Sequence, residues 1–155
     1  MTFYEGVIVK DEKGKEVLEQ LAKDELNHIR ALTALSVSLE EEGKWVTYEE
    51  AVSLGVSTKK QKAPIFPDKD LIPRVLGNAP SDIDVLNFGI DIEEKAVDYY
   101  TKALEIAKDQ DEKSFLSSMI NIENGHLELL RWEYDYIIKS GFWCDFQEYT
   151  VEGEK

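Results

Sequence analysis

The chain contains two histidines, and each follows a glutamate by three residues, in Glu25-Leu26-Asn27-His28 and in Glu123-Asn124-Gly125-His126. On an α-helix, positions i and i+3 share a face, so each pair projects a carboxylate and an imidazole side by side. The second pair lies inside the otherwise apolar helical stretch Ile120–Leu130, and both pairs are related by one offset of 98 residues. A single Glu-x-x-His on a helix is ordinarily a surface pair. Doubled in register and facing a bundle interior, it is the way four-helix bundles build a two-metal carboxylate site. Glu93 is a third acid on an apolar stripe, flanked by Ile90, Ile92, Ala96 and Val97 and seven residues before Tyr100. That spacing is two turns along one face. An unpaired buried carboxylate is costly, so such a cluster implies cations or shifted protonation. Iron and manganese both suit mixed imidazole and carboxylate ligation. Tyr4 and Tyr100 are expected in the core, their hydroxyls bonded there or donated to a ligand carboxylate.

The elements that must position these groups read as helices. Residues 2 to about 10 form a short apolar-aromatic stretch whose Val7-Ile8-Val9 run leans towards strand by propensity, while its sequel suggests the tail of a first helix. Asp11-Glu12-Lys13 opens a second, long helix with Val17, Leu18, Leu21, Ala22, Glu25, His28, Ile29, Leu32 and Leu35 at threes and fours, stopping at Gly43. All four prolines then fall between Lys44 and Pro80, which reads as a connector carrying one short helix capped by Thr47-x-x-Glu50 and ending near Gly55. Ser81-x-x-Asp84 caps a third helix with Val85, Phe88, Ile92, Glu93, Ala96, Tyr100, Ala103 and Ala107 on its stripe. After a turn at Asp109-Gln110-Asp111, a fourth helix carries Phe115, Met119, Ile122, Glu123, His126, Leu130, Tyr134 and Ile137 and ends before Gly141. An aromatic tail follows, with Phe142, Trp143, Phe146 and Tyr149. Trp132, Phe142 and Trp143 are expected to pack, and Cys144 to be an ordinary thiol. The internal repeat extends beyond the motifs. Val17-Leu18, Leu21-Ala22 and Leu32 match Phe115-Leu116, Met119-Ile120 and Leu130 at the same offset, and Phe3-Tyr4 matches Tyr99-Tyr100 at 96.

Bulk composition narrows the partners. With 155 residues, 43% of them hydrophobic, the chain reads as one domain with a substantial core. A formal net charge of −14 argues against nucleic acid and anionic membrane as partners. One cysteine allows no intramolecular disulfide and no Cys-x-x-Cys knuckle. No apolar run approaches a membrane span, and Met1-Thr2-Phe3-Tyr4-Glu5 does not start like a signal peptide, so a cytoplasmic location is expected.

Glu25-x-x-His28, Glu93 with Tyr99-Tyr100, and Glu123-x-x-His126 together resemble the ferritin-like superfamily, specifically its rubrerythrin-related di-iron carboxylate proteins. The resemblance covers nearly all of the chain except connector and tail. It implies an all-α, antiparallel four-helix bundle, a single domain over 1–155, with a long crossover (44–80) between helices two and three, a shortened first helix, and a tail over 141–155. It also implies two iron ions, with manganese or zinc as substitutes. Glu25 and Glu123 would bridge them, His28 and His126 would each bind one, and Glu93 would be the terminal carboxylate of the second, with Tyr4 and Tyr100 supporting the carboxylates. The implied activity is reduction of peroxide or dioxygen. Electrons would come from an external donor such as a rubredoxin-like protein, because the family's own rubredoxin part needs four cysteines. A homodimer is expected as well. The rival readings are iron oxidation for storage and a metal-poor ferritin-like interaction module. Two departures bear on the choice. The first-helix glutamate would stand seven residues before Tyr4, ahead of Met1, and the extra third-helix carboxylate of peroxide-reducing rubrerythrins is replaced by Ala96.

Overall fold

The computed structural model describes residues 4, 9–54, 76–77 and 80–144. Among them the regular structure is entirely helical: α1 (Glu12–Glu42), α2 (Tyr48–Ser53), α3 (Asp82–Ile106) and α4 (Gln110–Ser140). The three long rods are the second, third and fourth helices expected from periodicity, and α2 is the short helix of the connector.

Each terminus has a local cause. Asp11 caps α1 by accepting from the Lys13 and Gly14 amides, and Gly43 ends it in a left-handed conformation at φ 65°. Thr47 and Glu50 close a capping box on α2, and Ser81 and Asp84 do the same for α3 with the shorter acid. Asp109 caps α4 and Gly141, at φ 80°, stops it. The left-handed backbone explains why glycine stands at both C-termini.

The core divides into two apolar layers. A lower layer joins Val17, Leu18, Leu21 and Ala22 of α1, Val85, Leu86 and Ile92 of α3, and Leu129 and Leu130 of α4, with Tyr4, Val9 and Trp143. An upper layer joins Ala31, Ala34 and Leu35, then Ala96 and Tyr100, then Phe115 and Met119, with Ala51 of α2. Following residue numbers through the layers, α1 and α3 ascend together while α4 descends between the same levels. A chain leaving α2 at the upper layer must therefore return to the lower one before α3 starts. That return is the long crossover of a ferritin-like bundle.

The base is closed by residues beyond α4. Trp143 is buried, its indole N–H donates to Asp82 Oδ2 at 2.8 Å, and the Cys144 amide donates to the buried Glu133 Oε2 at 2.8 Å. Phe142 is 69% exposed, against the packing role expected of it, because it sits just past the Gly141 turn and points away from the base. Of the shortened first helix only Tyr4, Val9 and Lys10 are described, so its helical or strand character lies outside the described residues, as do most of the connector and the tail from Asp145.

Trp143 and Val9 press on Gly14, where a Cβ would stand 2.7 Å from the indole and 2.8 Å from the valine. Gly14→Ala is accordingly expected to destabilise the fold by about 1–3 kcal/mol despite its better helix propensity. Equilibrium denaturant unfolding would measure this, and an unchanged midpoint would show that the base is not packed this way.

Candidate metal centre

Between the two apolar layers lies a polar one. Glu25 and His28 come from α1, Glu93 from α3, and Glu123 and His126 from α4, and none is more than 5% exposed. The i, i+3 spacing places each glutamate and its histidine on the inner face of its helix, and Glu93 continues the Ile92–Ala96 stripe of α3. All five residues singled out by spacing are therefore brought together.

Their geometry has two poles. His126 Nδ1 lies 3.1 Å from Glu25 Oε1, 3.3 Å from Glu123 Oε2 and 3.7 Å from Glu93 Oε1. His28 Nδ1 lies 2.9 Å from Glu123 Oε1 and 3.3 Å from Glu25 Oε2. Glu25 and Glu123 thus each turn one oxygen to each imidazole. The rings are stacked, with centroids 5.6 Å apart. Donor atoms of Glu25, Glu93, Glu123 and His126 all fall within 4.8 Å of one another.

Close as they are, these atoms do not satisfy each other. Both oxygens of Glu25 and of Glu123, Glu93 Oε2, both nitrogens of His28 and His126 Nδ1 are buried without an aligned hydrogen bond. Such groups are rare in folded proteins unless something else engages them. Carboxylate oxygens and imidazole nitrogens that converge without bonding fit a first-row divalent ion, so the residues present suit the metal that the spacing implied.

Two supporting contacts surround them. The Tyr4 hydroxyl donates to Glu93 Oε1 at 2.5 Å. His126 Nε2 faces Asp24 Oδ2 at 3.1 Å, the carboxylate contact that fixes the tautomer and aim of a metal-binding imidazole. Tyr100 is buried in the upper layer and makes no hydrogen bond to the carboxylates among the described residues, while its neighbour Tyr99 is 52% exposed. Asp24 and Tyr48 escaped the sequence reading. Asp24 directly precedes Glu25, and its mate in the repeat is Ile122, so this position breaks the repeat that led to the others. Tyr48, edge-on to His28 at 5.7 Å, is delivered by the connector helix and carries no local signal.

Without a metal, protons must supply the missing positive charge. Burial drives Glu93 from its ordinary 4.5 up to about 8, helped by the Glu25 and Glu123 charges and opposed by His126. Burial works against charging His28, yet Glu123 and Glu25 lift it from 6.5 to about 9. His126 is raised further against the same burial by Asp24, Glu123, Glu25 and Glu93. Glu123, despite burial, is held low by His126 and His28. Burial and the facing carboxylates raise Tyr4, beginning with Glu93, and Tyr100, beginning with Glu123.

A family model described as rubrerythrin matches residues 2–134. No curated protein and no solved structure matches the chain at a significant level. Among the described residues no helix is long and apolar enough to cross a membrane.

The raised values fix the sign of a pH dependence. Glu93 and His28 bind protons more tightly folded than unfolded, so the stability they contribute falls as pH rises, from about 4.5 to about 8 for Glu93 and from 6.5 to about 9 for His28. The Tm of metal-free protein should drop steadily between pH 6 and 9, and a bound divalent ion should flatten that slope by replacing the protons. At pH 8, Glu93→Gln should raise the metal-free Tm while weakening metal binding, because it removes a buried acid without removing an acceptor for Tyr4. A metal-free Tm that climbs with pH would contradict this charge assignment.

Proposed function

The chain belongs to the rubrerythrin family, and from that premise we propose that it is a non-haem di-iron oxidoreductase reducing peroxide or dioxygen with electrons from an external donor. One observation carries the reading: Glu25 and Glu123 each present one oxygen to His28 and one to His126, which is the arrangement of carboxylates shared between two ions. Iron, when bound, supplies one-electron redox steps, and two irons match the two electrons that convert hydrogen peroxide and two protons into two waters.

The chain's own residues do the rest. Asp24 holds His126 Nε2 and keeps Nδ1 turned towards the carboxylates. The Tyr4 hydroxyl donates to Glu93 Oε1 and fixes that carboxylate's rotation. The apolar layers above and below exclude bulk water, which strengthens every charge interaction in the site. The electron donor we propose is a site of rubredoxin-like chemistry, which the one cysteine within these residues cannot itself form.

A second reading, ferrous iron oxidation for storage, is favoured by Ala96. It is fully buried where peroxide-reducing rubrerythrins place a further carboxylate, so the site has one acid fewer to follow a change in iron charge. Stopped-flow mixing separates the two. Under the first reading, di-ferrous protein oxidises rapidly with one equivalent of peroxide and Tyr4→Phe slows this about 10–100-fold. Under the second, the protein oxidises many equivalents of added ferrous ion in air. No absorbance change with two irons bound would remove both.

A further inference from the structure

The two poles of the cluster are not equivalent, although the repeat that generates them is nearly symmetrical. The His126 pole has four donors: Nδ1, Glu25 Oε1, Glu123 Oε2 and Glu93 Oε1. Among the described residues the His28 pole has three: Nδ1, Glu25 Oε2 and Glu123 Oε1. Among the described residues no carboxylate plays for His28 the part that Glu93 plays for His126. Nor are the imidazoles supported alike. His126 Nε2 faces Asp24, whereas His28 Nε2 is buried with no hydrogen-bond partner and has the Tyr48 ring against its edge. Ile122 occupies the repeat position that corresponds to Asp24. Glu93 is further held by Tyr4, so two of the four donors at the first pole, His126 and Glu93, are oriented by built contacts.

We infer that the centre loads in order: one ion binds tightly at Glu25, Glu93, Glu123 and His126, and a second binds more weakly at the His28 pole. Preorganisation favours the first pole, and each oriented ligand is worth about 10–100-fold in metal affinity. The first ion also places positive charge beside the two shared carboxylates, so the second ion meets repulsion as well as a less firmly oriented imidazole. Asp24 acts here as a positioning residue, through His126. At limiting metal the chain is therefore a one-metal protein, and the two-electron chemistry proposed above, on which this inference rests, is switched on only when metal is abundant.

Anaerobic titration of metal-free protein with cobalt(II) tests this, followed by visible absorption and by paramagnetically shifted imidazole NMR signals. Because the chain has two histidines, His28→Asn and His126→Asn assign those signals. The expected result is two steps separated by about ten-fold or more, the His126 signals moving in the first and the His28 signals in the second. Asp24→Asn should weaken the first step about 10–100-fold. Asp24→Glu, which keeps the charge, should restore part of the loss. Two ions binding with equal affinity, His28 signals moving first, or an Asp24→Asn protein with an unchanged first step would each overturn the order while leaving the di-iron reading intact. Failure to bind cobalt at all would overturn both.

Discussion

Three carboxylates and two imidazoles are buried in one layer, and the rest of the structure depends on neutralising them. Carboxylates removed from water cannot all stay ionised unless positive charge arrives with them. In the metal-free chain that charge is protonic, shared among His126, His28 and Glu93 while Glu123 stays ionised. A divalent ion does the same task with more charge in less space.

The apolar layers make this arrangement tolerable. Leu21, Leu86 and Leu130 below, and Phe115 and Met119 above, are almost wholly buried, and they supply the hydrophobic stabilisation that offsets a polar centre. Small residues next to the ligands, Ala22 and Ala96 among them, let the helices carry long polar side chains inward without overpacking. The base is fastened separately, by Trp143 on Asp82 and Gly14 and by Glu133 on the Cys144 amide. The costly burial of charge in the polar layer is therefore flanked by well-packed regions, in keeping with functional sites that sacrifice some stability locally.

Duplication explains why the site is nearly symmetrical, and divergence explains why it is not quite so. Register carries Glu25 onto Glu123 and His28 onto His126, and each shared carboxylate faces both imidazoles as a result. The repeat fails at Asp24 and Ile122, and there the two halves differ in what holds the histidine.

The helices, their caps and the five converging donors were legible from the chain itself. Periodicity of 3.6 residues marks α1, α3 and α4, Asp11, Ser81, Gly43 and Gly141 mark their ends, and the i, i+3 spacing of two glutamate–histidine pairs requires a common face. These are local properties, decided within one or two turns of backbone. What the tertiary structure alone decided is how side chains distant in sequence share a space. It chose Tyr4 over Tyr100 as the partner of Glu93, brought Asp24 across to a histidine 102 residues away, and set Tyr48 from the connector against His28. No periodicity encodes those contacts, because they depend on helix orientation and on where the crossover docks. The same holds for the split of each shared carboxylate between two imidazoles, which exists only once three helices have met.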